Sequence, residues 1–255
     1  MSTLITTLVF DVDGILRNSG PAIHYFLNET LKKEVGWEIP FGEKEHLAIR
    51  GNWKEFSNIK TTLPVVFAVK KTGLNVKKIL EAKNAKETLM QIYKENPTDE
   101  KTIETLYQVF MKQYTSLDNA SLKAVNPIPD CFKAVQQLAK KYKLACFSDS
   151  SSKLHEAWLT YWNAKHFFQA NIGIEESKAK KPDPKGLELV SAELKTKPGE
   201  MAYIGDSTID IETARAFGCK SIAISTGFAK KSELLKNKPN FFYENLQELV
   251  NANLG

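Results

Sequence analysis

Three short apolar runs in this chain each stop abruptly on a polar residue: Leu8-Val9-Phe10-Asp11, Leu144-Ala145-Cys146-Phe147-Ser148 and Ala202-Tyr203-Ile204-Gly205-Asp206. Continuous apolar runs of this length, bounded by Gly, Asp or Ser, mark strands buried on both faces, the situation of a parallel sheet covered by helices. In such a sheet, ligands sit beyond the carboxyl ends of the strands. The pattern therefore gathers two Asp-rich loops and a hydroxyl at one sheet edge.

The rest of the chain alternates with these runs in a definite way. The first strand spans about residues 4–10 and breaks at Asp11-Val12-Asp13-Gly14. From Ser19-Gly20-Pro21 onward the periodicity is helical, with Ile23, Phe26, Leu27, Leu31 and Val35 on one face until Gly36. Thr98-Asp99-Glu100 opens another helix, carrying Ile103, Leu106, Tyr107, Phe110 and Tyr114 on one face. Residues 43–95 hold shorter helical stretches and no strand pattern. Asn126-Pro127-Ile128-Pro129-Asp130 returns the chain to α/β rhythm. Expected there are helices near 132–139, 154–162, 184–194 and 209–217, strands at 144–148, 201–205 and 221–225, a short apolar run near Phe167–Ile174, an edge strand at Asn240–Tyr243 and a final helix. Alternation of this kind implies right-handed crossovers and a three-layer sandwich. The expected division is an α/β core from residues 1–17 and 126–255, with an all-helical insert over 18–125.

Bulk properties narrow the classes. A chain of 255 residues accommodates one domain plus an insert. The net charge of +5 comes from lysines scattered along the chain, with no basic stripe for nucleic acid. Three cysteines, Cys131, Cys146 and Cys219, lack metal-ligand spacing and are odd in number, as expected for buried thiols in a reducing cytoplasm. No run approaches a membrane span, and the N-terminal segment lacks the pattern of a signal peptide. The four histidines show no metal spacing, and Trp53, Trp158 and Trp162 read as packing residues.

The polar residues at the strand ends carry the candidate chemistry. Asp11 and Asp13 lie two apart, so that both leave one side of an extended chain. Two carboxylates this close repel, which calls for a proton on one or a cation between them. One can attack phosphorus, and the other can serve as acid and base. Asp206 and Asp210 offer the hard oxygen ligands that suit Mg²⁺, although Asp206 or Ser207 also suits a helix cap. Ser148, followed by Asp149-Ser150-Ser151-Ser152, can form a phosphate cradle at a helix start. Lys181, in Lys180-Lys181-Pro182-Asp183-Pro184, can reach a phosphoryl oxygen or Asp11. Taken singly, each of these is a weak signal.

Their order is more specific. Asp-x-Asp-Gly, a Ser after a strand, Lys-Pro, then Gly-Asp-x-x-x-Asp resembles the four motifs of the haloacid dehalogenase superfamily. The resemblance covers residues 4–17 and 126–250. The insert resembles the helical cap of the phosphoglycolate phosphatase and β-phosphoglucomutase branch. What the resemblance implies is a Rossmann-like core with a mainly parallel sheet, and a Mg²⁺-dependent phosphatase working through an aspartyl-phosphate. In that scheme Asp11 is nucleophile and metal ligand. Asp13 is acid/base and contributes its backbone carbonyl to the metal. Ser148 and Lys181 hold the phosphoryl group, Asp206 completes the metal site, and Asp210 stands behind it. Arg50 and Lys54, flanking Gly51, fall in what resembles the cap's specificity loop.

Departures from the pattern matter as well. Asp13 and Asp206 argue against the dehalogenases, which lack the former and need no metal. Asp13 also argues against the phosphonatases, although Gly51-Asn52-Trp53-Lys54 loosely resembles their cap motif. Asp149 stands where the family often has Asn, so that its carboxylate is either held away from the phosphate or repels it. A β-phosphoglucomutase-like phosphotransferase, a phosphonatase and a non-catalytic phosphate-binding protein are the alternative readings. The expected partner is a small phosphorylated metabolite, bound by a monomer or homodimer, with no nucleic acid and no membrane.

Overall fold

Six strands form one sheet in the order β3-β2-β1-β4-β5-β6, and every adjacent pair is parallel. They are β1 Thr7–Phe10, β2 Lys143–Phe147, β3 Ala170–Ile172, β4 Met201–Gly205, β5 Lys220–Ile224 and β6 Phe241–Tyr243. These observations come from a computed structural model. It describes residues 4–254 apart from 53, 57, 228 and 253, with the backbone alone at 51, 52 and 54.

The two-sided burial read from the sequence has a direct structural cause. Residues of β1, β2 and β4 alternate between faces, yet β1 and β4 are buried throughout. On one face, the registered row Ala170, Ala145, Val9 and Tyr203 packs with Leu187, Val190, Leu194 and Ala214, which belong to the helices Lys185–Leu194 and Thr208–Phe217. Leu8, Phe10, Leu144, Cys146 and Ile204 occupy the alternate positions and are equally buried. A strand with no solvent face needs no polar alternation, which explains the uninterrupted apolar runs. Burying such side chains stabilises the fold by roughly 1.5–3 kcal/mol each.

β1 lies between β2 and β4. The loops after these three strands are therefore neighbours, and they carry Asp11, Ser148 and Asp206. The chain order reverses direction across β1, the kind of switch point at which open α/β sheets bind ligands.

The chain divides into two compact units, residues 1–19 with 117–255, and residues 20–116. The boundary expected at residue 125 differs from this at one helix: Asn119–Ala124 packs on the helix Ser152–Tyr161 and groups with the sheet. The second unit has no strand among its described residues. Its helices include Glu43–Asn52, Ile59–Thr72, Ala85–Glu95 and Glu100–Tyr114, around a core of Ile49, Phe56, Val65, Val69, Val76 and Leu89. The expected start at Asp99 is a side-chain cap, its Oδ1 accepting from the Thr102 amide at 2.8 Å. Two short helices escaped the sequence reading, Ile174–Ser177 and Lys231–Lys236, and in the second of these Leu234 alone is buried. No helix among the described residues is long and apolar enough to cross a membrane.

Candidate active site

Each acidic loop is shaped by its own local chemistry. After β1, the Asp11 amide still donates to Ile204 of β4 at 2.8 Å, which fixes Asp11 to the sheet edge. Its Oδ1 accepts from the Val12 amide at 2.8 Å, leaving Oδ2 directed elsewhere. The chain then turns at Gly14, where φ is +83°, and a Cβ there would stand 2.5 Å from Asp206 Oδ2. Only glycine suits both the backbone and the approach. After β4, Ser207 and Asp210 form a capping box at the start of Thr208–Phe217: Asp210 Oδ2 accepts from the Ser207 amide at 3.0 Å and from its hydroxyl at 2.5 Å. The cap expected at Asp206 or Ser207 is therefore Ser207.

Lys181 ties these loops together. Its Nζ lies 3.0 Å from Asp11 Oδ2, 2.6 Å from Asp210 Oδ1 and 3.2 Å from the Tyr203 hydroxyl, so that its three protons have three acceptors. The Tyr203 hydroxyl in turn donates to the Phe147 carbonyl at 3.0 Å. All four groups are buried. Burial alone would push the Lys181 ammonium toward losing its proton, but Asp11 and Asp210 outweigh it and hold the pKa well above the ordinary lysine value.

Asp11 has the opposite problem. Burial raises its carboxyl well above the usual range, Lys181 lowers it, and Asp210, Asp206 and Asp13 raise it further in that order. The crowding expected between Asp11 and Asp13 is thus the smallest of these effects, and the distal acidic loop supplies more of it. Oxygens of Asp11, Asp206 and Asp210 all lie within 4.8 Å of one another. One buried lysine faces several carboxylates, an arrangement with room for a further positive charge.

Asp13 faces another way. Its Oδ1 is 3.3 Å from Nη1 of the buried Arg17, and its Oδ2 accepts from the Ser150 hydroxyl at 3.1 Å. Ser148 is buried at the end of β2, with its Oγ 3.2 Å from that of Ser150. Asp149 turns its carboxylate onto the backbone of the lysine loop, accepting from the Lys181 amide at 2.9 Å. Of the two alternatives for this departure from Asn, the side chain is held on the protein. Seven of the candidate residues, Asp11, Asp13, Ser148, Asp149, Lys181, Asp206 and Asp210, thus belong to one unit and converge on one sheet edge.

Arg50 belongs to the other unit. It sits in Glu43–Asn52, where burial lowers its guanidinium to about 10 against a rise from Tyr114. The side chains of Asn52 and Lys54, and all of Trp53, lie outside the described residues. Trp158 is fully buried, as a packing residue should be.

Sequence reasoning missed Tyr203, Arg17 and the Ser150–His155 pair. Tyr203 was hidden inside an apolar run whose only polar atom is its hydroxyl. Arg17, a single charge after Ile15-Leu16 in a loop otherwise buried, was the visible signal for the second.

The sequence pattern of the haloacid dehalogenase-like hydrolases matches residues 8–224. The chain belongs to this family. Among curated proteins it is 23% identical to phosphoglycolate phosphatases of Shigella boydii and Escherichia coli O157:H7, over 97% of this chain and 92% of each relative. Among solved structures, a haloacid dehalogenase-like hydrolase of Streptococcus pneumoniae superposes with a TM-score of 0.64 at 20% identity, covering 97% of each chain. A protein of Bacillus subtilis described as a hydrolase of the same family, bound to magnesium, superposes with a TM-score of 0.62 at 17% identity, covering 98% of each. The expected family, the hydrolase class and the three-layer parallel fold are therefore borne out, and the curated relatives are phosphoric monoester hydrolases.

Proposed function

We propose that this family hydrolase is a Mg²⁺-dependent phosphatase that cleaves a small phosphomonoester through a phosphorylated Asp11. The single observation that carries the reading is the placement of Asp11 Oδ2 at the carboxyl end of the central strand, against Lys181 and beside the carboxylates of Asp206 and Asp210. The curated relatives are phosphoglycolate phosphatases, so phosphoglycolate or a similarly small phosphomonoester is the substrate class proposed for this chain. The buried free thiols of Cys131, Cys146 and Cys219 accord with a reducing cytoplasm.

The residues present fit a hard divalent cation. The donors are carboxylate oxygens, which suit Mg²⁺ and leave it several waters. Backbone lies unusually close to one of them: a Cβ on Gly227 would fall 1.5 Å from Asp206 Oδ2 and one on Gly14 2.5 Å away, so a side chain at either position would collide with this oxygen. Asp11, Asp206 and the Asp13 backbone carbonyl would hold the ion, with Asp210 behind them, its oxygens already engaged by Lys181 and Ser207. When bound, Mg²⁺ supplies charge neutralisation to the attacking carboxylate and the phosphoryl oxygens.

The chain's own groups do the remainder. An Asp11 oxygen attacks phosphorus in line, forming the acyl-phosphate bond as the bond to the alkoxide oxygen breaks. Asp13 donates its proton to that oxygen. Lys181 offsets charge on the non-bridging oxygens, and Ser148 orients them together with the Asp149 backbone amide. Water then attacks the phosphorus, Asp13 takes its proton, and Asp11 leaves as carboxylate.

The test is phosphate release from a panel of phosphorylated metabolites, with Mg²⁺ and with chelator, using Asp11→Asn as blank. The expected result is metal-dependent release that vanishes in the variant. Release unaffected by chelator, or retained in Asp11→Asn, would sink the reading.

A further inference from the structure

Asp13 is held on both oxygens by groups that the chemistry above leaves unused. Arg17 meets Oδ1 at 3.3 Å and the Ser150 hydroxyl donates to Oδ2 at 3.1 Å. Behind Ser150 stands His155, fully buried, with Nε2 2.6 Å from the same hydroxyl oxygen. Ser148 Oγ is a third neighbour at 3.2 Å, and it accepts from the Ser150 amide at 3.3 Å.

A hydroxyl has one proton to give and two lone pairs. If Ser150 gives its proton to Asp13, it must accept from both His155 and Ser148. His155 therefore carries its proton on Nε2. A neutral ring with that single proton is consistent with burial, which lowers its pKa to about 4 against the pull of Asp13. In that arrangement His155 Nε2, the Ser150 hydroxyl and Asp13 Oδ2 form one directed chain of donors and acceptors.

Both grips on Asp13 are braced by one helix. Ser152–Tyr161 is capped by the Ser151 hydroxyl, and its first turn is anchored where the Ser152 amide and hydroxyl donate to Glu175 and Glu176 at 3.0 and 2.9 Å. His155 and Trp158 are three apart and share a face. Trp158 lies 5.8 Å beneath the Arg17 guanidinium and donates from its indole to the Val125 carbonyl at 2.7 Å. The helix thereby backs Ser150 through His155 and Arg17 through Trp158.

We infer that Ser150 and His155 are positioning residues for Asp13, His155 acting through the Ser150 hydroxyl to aim the carboxyl that protonates the leaving oxygen. The inference rests on the phosphatase reading, in which Asp13 is the acid. A misaimed acid harms a poor leaving group more than a good one, because an aryl oxide departs with little help. A merely structural role would slow both equally.

The experiment measures kcat and KM with Mg²⁺ for β-glycerol phosphate and p-nitrophenyl phosphate, in wild type, Ser150→Ala, His155→Leu and His155→Gln. Expected is a loss in kcat of about tenfold or more on the alkyl ester for Ser150→Ala and His155→Leu, with only a few-fold loss on the aryl ester. KM should stay within about twofold, and His155→Gln, which restores a donor toward Ser150, should recover most of the loss. The alkyl-to-aryl ratio within one preparation is independent of how much protein is folded. An unchanged ratio in Ser150→Ala and His155→Leu, or His155→Gln no better than His155→Leu, would overturn the inference while leaving the phosphatase intact. No release from either ester by wild type would overturn the phosphatase reading, and this inference with it.

Discussion

The ionisable cluster at the sheet edge and the histidine pair among the helices of the second unit handle charge by opposite means. Lys181 keeps its proton because Asp11 and Asp210 surround it. His24 and His46 are instead kept neutral. Their Nδ1 atoms lie 3.1 Å apart, a contact that needs one donor and one bare nitrogen. Burial lowers His46 to about 3, with Arg50 and then His24 adding to it, and burial lowers His24 against the pull of Glu43 and Glu45. Leaving charge in a low-dielectric site is costly unless it is paired. The pairing at the sheet edge keeps strong charges where a phosphoryl group would arrive. The neutral pair among the helices contributes packing and hydrogen bonding, with no charge to offer.

This contrast is open to direct attack, beginning with its largest expected effect. Asp11→Asn should lower turnover by about 10⁴-fold or more while preserving the fold, since a catalytic nucleophile is removed and its shape retained. Steady-state rates and circular dichroism check both halves. Lys181→Met should destabilise the first unit by about 3–5 kcal/mol, because it strands Asp11 and Asp210 as buried carboxylates with no cation. Urea unfolding would show it, and added Mg²⁺ should return part of the loss by binding the folded state. Asp13→Asn should cost about 10²–10³-fold on alkyl phosphates and distinctly less on aryl ones. Equal losses on the two esters would count against an acid role for Asp13.

The smallest effect belongs to the helical cluster. His46 has a folded pKa of about 3 and an ordinary value of 6.5, so between these pH values the unfolded chain binds more protons than the folded one. Stability from this group is complete above pH 6.5 and is lost as pH falls toward 3, amounting to about 2 kcal/mol by pH 5. His46→Leu should flatten that part of the pH–stability curve. A variant with the same acid sensitivity as wild type would show that the pair is not held neutral.

The parts of this architecture that were legible in the sequence are those set by local chemistry. Uninterrupted apolar runs identified β1, β2 and β4 because burial on both faces removes the polar alternation. Asp99, Gly36 and Pro21 marked helix boundaries through capping and backbone restriction. The order of Asp11, Ser148 and Asp206 at strand ends, with Lys181 in the loop before Lys185–Leu194, was enough to gather one site. What stayed hidden depends on packing between distant segments. Asp13 reads as a partner of Asp11, yet its contacts are Arg17 and Ser150, the latter 137 residues away in sequence. Asp149 leaves two alternatives open in the sequence, and only the fold shows that a backbone amide 32 positions on claims its carboxylate. Tyr203 reads as strand core, and only the fold shows that its hydroxyl lies under the lysine. The helix Asn119–Ala124 carries a helical pattern like that of the insert, and only its contact with Ser152–Tyr161 reveals the unit to which it belongs.

The central claim, that Asp11 takes the phosphoryl group, is tested most directly by acid-quenching the enzyme during turnover of a small phosphomonoester and mapping the phosphorylated peptide. The expected result is one acid-stable, base-labile phosphoryl group on the peptide that carries Asp11, absent from Asp11→Asn. A phosphoryl group on another residue, or rapid turnover with none on the protein, would contradict it.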